Sequence, residues 1–107
     1  HVHYLDVAAW VRGGAYPVRA VGTGGRQALT DPGYGHIFDH FAVVYEYPDG
    51  DRLVSQCRQQ PGCKNDSSVQ VLGTRGQANL GERKGDLTVR GPAGEWAYTA
   101  THRDMYQ

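Results

Sequence analysis

From Asp39 to Arg58 the sequence spells out a β-hairpin, and that segment limits the fold more than any other. Phe41, Val43, Tyr45 and Tyr47 alternate with His40, Ala42, Val44 and Glu46, the two-residue period of a strand. Pro48-Asp49-Gly50-Asp51 then supplies turn chemistry, and Leu53, Ser55 and Cys57 alternate with Val54, Gln56 and Arg58 on the return. A hairpin with an aromatic and branched face has to bury that face, so the rest of the chain must supply more strands or a helix to cover it. Strand signals continue downstream at the roughly 8 to 12-residue spacing of antiparallel sheets. Val69 and Val71 lead to Gly73, Thr74-Arg75-Gly76-Gln77 reads as a turn, and Ala78–Leu80, Leu87–Arg90 and Glu95–Thr99 follow, the last two joined by Gly91-Pro92-Ala93-Gly94. Upstream, Pro17 opens a short strand over Val18–Val21.

The N-terminal segment has a different period. Leu5, Ala8, Ala9 and Arg12 recur at helical spacing, with Val2 one turn earlier, and Gly13-Gly14 ends the run. One helix followed by six or seven strands predicts an α+β domain, the helix packed on a predominantly antiparallel open sheet of about six strands. The second faces of the strands are mixed rather than cleanly polar, which calls for a further layer or a partner subunit. The 107 residues make one domain's length of chain. The 11 Lys plus Arg balance 11 Asp plus Glu, against a nucleic-acid or anionic-membrane partner, both of which need surplus positive charge. The longest strongly apolar run, Phe41–Tyr45, is far short of the roughly 18 residues of a membrane helix. The start at His1-Val2-His3, and a capped helix start at Thr101 with Asp104 at its third position, predict a piece of a longer protein.

Several residues invite chemistry. Cys57 and Cys63, five residues apart, are expected as two free thiols rather than a bridge. Adding His36 and His40 would give a zinc set, but the glycines upstream and the strand that follows argue against a shared helical face. Gly22-Thr23-Gly24-Gly25 invites comparison with a dinucleotide-binding turn; Gln27 replaces the last glycine and no amphipathic helix follows, so a bend at a strand end is expected. His3 and Asp6 share a face of the first helix, where a carboxylate can orient an imidazole acting as acid or base. On spacing alone the pair is ordinary surface. Tyr34, His36, Asp39 and His40 cluster in an aromatic loop suited to lining a sugar cleft, against the plainer role of tucking the loop onto the sheet.

The order of these segments carries a resemblance. His3-Tyr4-Leu5-Asp6-Val7-Ala8-Ala9-Trp10 resembles the His-x-x-Asp helix of the Gfo/Idh/MocA family of pyridine-nucleotide dehydrogenases, the glucose–fructose oxidoreductase and inositol dehydrogenase relatives. Pro17-Val18-Arg19-Ala20-Val21-Gly22, the run from Asp39 to Gly50, Val71-Leu72-Gly73-Thr74-Arg75-Gly76 and His102-x-Asp104-Met105-Tyr106 resemble, in order, later segments of that family. The resemblance implies the C-terminal substrate and oligomerisation domain of an enzyme that moves hydride between a sugar or polyol carbon and NAD or NADP. It implies His3 as the catalytic histidine at the substrate hydroxyl and Asp6 as its helix partner; from the loop cluster, Tyr34, His36 and His40 are the expected substrate contacts. The cofactor and the catalytic lysine would belong to an N-terminal Rossmann domain absent from these residues. Lys64 and Lys84 match no Glu-Lys-Pro motif, and no cofactor-binding or metal-binding residue is expected here. The implied partners are that Rossmann domain, a sugar-like molecule and a second subunit across the sheet. The alternatives are a non-catalytic carbohydrate-binding or oligomerisation module of the same fold, with Tyr34 and Trp96 as stacking platforms, or a small enzyme using His3 and Asp6 alone.

Overall fold

The first helix, α1 (Val2–Val11), ends where the glycines require it. Gly13 and Gly14 take φ of 63° and 77°, a region that costs other residues energy, and their amides bond back to the carbonyls of Trp10 and Ala9. The computed structural model describes residues 2–81 and 86–99, in two compact units, residues 1–65 and 66–107. Among the described residues the fold is α+β, with one α-helix and two antiparallel sheets. A single sheet of about six strands was expected from sequence; the described residues instead form seven strands in a three-stranded and a four-stranded sheet. Lys84 and the helix start at Thr101–Tyr106 lie outside the described residues.

In the first unit, β1 (Arg19–Gly25), β2 (His40–Glu46) and β3 (Arg52–Arg58) pair in that order. The hairpin forms as written: the Tyr47 amide donates to the Asp51 carbonyl at 3.0 Å, and Gly50, at φ 88°, closes the turn. Tyr45 opposes Leu53 on β3 and Ala20 on β1, and Val43 opposes Ser55 and Gly22, so these side chains share one face. The other face carries the rows Val21–Val44–Val54 and Arg19–Glu46–Arg52. Here one expectation is corrected. Gly22-Thr23-Gly24-Gly25 is no bend but the second half of β1, in full register with Val43–His40. Glycine is used there for close approach: a Cβ at Gly24 would stand 2.8 Å from the His40 carbonyl oxygen and 3.2 Å from the rings of Phe38 and Phe41. Between β1 and β2 the loop holds one short 3-10 turn, η1 (Pro32–Tyr34), capped by the Asp31 carboxylate on the Gly33 amide.

In the second unit, β4 (Ser68–Gly73), β5 (Gly76–Gly81), β6 (Thr88–Gly91) and β7 (Gly94–Ala97) form a meander. Two-residue turns join β4 to β5 and β6 to β7, with Gly73 opposite Gly76 and Gly91 opposite Gly94. The register puts Val71, Ala78, Val89 and Trp96 in one row across four strands, with Gln77, Arg90 and Glu95 on the opposite face. Few of the described side chains are deeply buried. Ala8 and Tyr47 are the apolar ones, and Asp39 and Ser55 the polar ones, among the described residues.

Candidate functional site

Two features of the first unit combine geometry with chemistry. The first is a groove of about 490 Å³ between α1 and the sheet face beneath it. Leu5, Asp6, Ala9 and Trp10 line the helix side, Gly14–Pro17 the end, and Tyr45, Tyr47 and Leu53 the floor. The helix periodicity and the strand alternation together produce it: residues 5, 6, 9 and 10 fall on one side of α1, while 45, 47 and 53 share a sheet face. Arg12 holds the helix end to this floor. Its Nη1 donates to Asp51 and its Nη2 to Asp49 at 2.5 Å, both carboxylates of the β2–β3 turn. The guanidinium carbon lies 4.6 Å from the centre of the buried Tyr47 ring, a cation–π contact. The Asp49 hydrogen bond holds the Arg12 pKa above its ordinary value and, reciprocally, pulls that of Asp49 down. The Arg12 Nε is buried without a hydrogen-bond partner.

The second feature is Asp39, 2 % exposed at the start of β2. Its Oδ2 accepts from three successive backbone amides, Gln27 and Ala28 at 2.7 Å and Leu29 at 2.9 Å. Its Oδ1 meets His40 Nδ1 at 2.7 Å and accepts from Gln60 Nε2 at 3.1 Å. One carboxylate therefore ties the β1–β2 loop, the first residue of β2 and the loop after β3. These bonds, the Leu29 amide foremost, then His40 and the Gln27 and Ala28 amides, hold it ionised far below the usual carboxylate range against the opposing effect of burial.

Comparison of the chain with family models, curated proteins and solved structures found no match. The site therefore rests on its own geometry.

The residues expected from sequence divide between these features. Asp6 lies on the groove wall, exposed. His3 is exposed one turn earlier, with no hydrogen bond to Asp6. Tyr34 and His36 are exposed in and after η1 and do not line the groove. His40 is half-buried and locked to Asp39, on the strand face opposite Tyr45. Cys57 and Cys63 are free thiols, and no group of three or more metal-ligating side chains occurs among the described residues. Sequence reasoning passed over Arg12, which it counted only as part of the helical period. The signal was a basic residue at a helix end and two acids in a hairpin turn, but these lie 37 and 39 residues apart in sequence. Asp39 was seen as one member of a polar cluster; nothing in sequence announces three amides converging on it.

Proposed function

We propose that the chain is the C-terminal substrate and oligomerisation domain of an NAD(P)-dependent oxidoreductase acting on a sugar or polyol, with hydride transfer in the longer parent and no turnover by this domain alone. The groove carries the reading. Trp10, Tyr16 and Tyr45 line it with aromatic rings suited to the C–H surface of a sugar, over the buried Tyr47, and Asp6 offers a carboxylate to its hydroxyls. In this reading His3, one turn from Asp6, takes the proton of the substrate hydroxyl, and Asp6 supports it more weakly. Tyr34, His36 and His40 are left to outer contacts with substrate in the parent. NAD or NADP belongs, in this reading, to a Rossmann domain outside the 107 residues. In support of this, Gly22–Gly25 run as part of the edge strand β1, paired with β2, rather than as a turn opening an α-helix. The reading also calls for a single open sheet of about six strands in the parent, and for a homo-oligomer through the sheet.

The first test is coding sequence. A strand–GxGxxG–helix unit and a Glu-Lys-Pro motif upstream support the reading, and an unrelated upstream region defeats it. In that parent, His3→Ala should lower turnover far more than cofactor binding; an unchanged rate removes the role given to His3. Sedimentation across a wide concentration range should show self-association, weakened by Val54→Asp in the Val21–Val44–Val54 row, where Val21 and Val54 are exposed.

The second reading is a non-catalytic carbohydrate-binding module. It is favoured by Trp96, 56 % exposed in the second unit with its ring centre 6.3 Å from that of Tyr98. Sugar titrations followed by tryptophan fluorescence separate the two, because Trp10 and Trp96 are the chain's two tryptophans. Binding lost in Trp10→Phe points to the groove, and binding lost in Trp96→Phe to the second unit.

A further inference from the structure

The sheet face opposite the groove is charged unevenly along its length. The Tyr47 amide bonds to the Asp51 carbonyl and the Gln59 amide to the Asp39 carbonyl, so odd-numbered β2 residues form the hydrogen-bonded pairs with β3. The even-numbered ones, all on this opposite face, are the close pairs, in which opposed side chains approach most nearly. At one end the close pair is Glu46 with Arg52, and Glu46 also reaches Arg19 at 2.8 Å, so an acid sits between two cations. At the other end the same pattern gives His40 with Arg58, and Gly25 as the β1 neighbour of His40. No acid faces this end from β1 or β3, and Arg58 makes no ion pair with any described residue.

The missing side chain at position 25 matters. A Cβ on Gly25 would stand in ordinary contact with His40, 3.5 Å from Cε1 and 3.7 Å from Nε2, so glycine leaves that ring edge open. Nδ1 is the committed edge, bound to Asp39. Nε2 is therefore the free ring nitrogen, uncovered on its β1 side, and Arg58 is the residue directly opposite on β3.

We propose that His40 and Arg58 form an oxyanion-binding site on the sheet face opposite the groove, taking a carboxylate or phosphate-type group, with Asp39 as the residue that positions His40. The ring that binds is the imidazolium: Asp39 accepts from Nδ1–H and leaves Nε2–H to donate to the anion, while Arg58 supplies a charge-assisted donor. The neighbouring charges do not replace either group. Asp39 has both oxygens occupied, and the Arg26 guanidinium of the adjoining loop is engaged by the Leu29 and Asp31 carbonyls. The site lies on the face opposite the groove and shares only His40, an outer contact there, with the sugar reading, so anion binding by the 107-residue chain tests it apart from sugar binding in the groove.

The test is titration of the isotopically labelled 107-residue chain with sulfate, inorganic phosphate and acetate, followed by NMR. Sulfate should give saturable shifts centred on Gly25, His40 and Arg58. Arg58→Gln, an exposed change that leaves Asp39 untouched, should weaken binding by about tenfold. His40→Gln should do likewise. Tighter binding of phosphate than acetate identifies a phosphorylated ligand, and the reverse a carboxylated one; either outcome upholds the site. In Asp39→Asn the ring ¹⁵N shifts should report loss of the fixed Nδ1–H form, a readout that lost packing alone would not move. Shifts spread evenly over the chain's arginines, or binding unchanged in Arg58→Gln, would overturn the proposal.

Discussion

The two sheets solve the same problem by different means. In residues 1–65 the three-stranded sheet has little apolar interior, yet two polar clusters fix it from its ends. Asp39 gathers three amides, an imidazole and an amide side chain at one end, and Arg12 holds two carboxylates and a ring at the other. In residues 66–107 none of the described side chains is buried, and the sheet rests on its ladder, its tight turns and cross-strand rows such as Val71–Ala78–Val89–Trp96. The comparison teaches that hydrogen-bonded polar anchors can specify register where an apolar core is thin. A polar anchor, however, makes the structure sensitive to single residues and to pH.

Asp39→Ala should give the largest effect. It leaves the amides of Gln27, Ala28 and Leu29 without an acceptor, so their hydrogen exchange should accelerate by about a hundredfold or more while the β4–β7 amides keep their protection. Wild-type exchange rates at those three amides would show that the anchor is not what orders the loop. The pH dependence follows from the direction of the shift. The folded-state pKa of Asp39 is depressed, so its stabilisation is present above the unfolded value of about 3.9 and is lost as pH falls from there toward the folded one. Acid unfolding of the first unit should therefore steepen below about pH 4, and Asp39→Asn should flatten that slope.

The second region breaks at its backbone instead. A Cβ at Gly76 would overlap the Arg90 carbonyl oxygen and stand 3.2 Å from Gly91 Cα, so β5 and β6 must separate to admit it. Gly76→Ala should cost the four-stranded sheet roughly 1–3 kcal/mol by chemical denaturation and leave the first unit's transition in place. Arg12→Gln should do less. It removes the Asp49 and Asp51 bridges, which are exposed on the carboxylate side, so the first unit should melt only a few degrees lower, with a smaller difference at high salt. The sharper readout is local: the fluorescence of Trp10 on the groove wall should change as the helix end loosens from Tyr47. Unaltered emission would mean that the latch does not set the groove.

What was legible in the sequence follows the same division. Local patterns were enough for α1, whose expected end at Arg12 is one residue past the observed Val11, and for β3, observed as Arg52–Arg58. Both rest on periodicity and on turn residues acting within a few positions of themselves. Gly22–Gly25 were misread because glycine is a poor strand former in isolation. Its place in β1 is decided by Phe38 and Phe41, residues more than a dozen positions away that need the space. The partition into two sheets was likewise hidden, since alternation states that a strand pairs but not with which neighbour. For the site, Asp6 was named from its spacing to His3, and Tyr45 and Tyr47 from the strand alternation, while Trp10 and Tyr16 as lining residues were not. The convergence on Asp39 could not, because its partners come from three separate segments.

The smallest change tests the most exposed large apolar residue on the polar side of the second sheet. Leu72 is 81 % exposed and lies opposite Gln77, in the row that includes Arg90 and Glu95, whose side chains pair at 2.9 Å. An exposed leucine in an isolated chain loses almost nothing on truncation, so Leu72→Ser should alter unfolding by no more than about 0.5 kcal/mol. Trp96→Ala, on the opposite face and directly across from Val89, should cost more, roughly 0.5–1 kcal/mol, because it removes a cross-strand pair. If the order is reversed, Leu72 is covered in solution. Sedimentation of the two variants then decides the cause: self-association lost with Leu72→Ser would put a subunit contact on the polar face, and would break the view that the second sheet stands on its ladder alone.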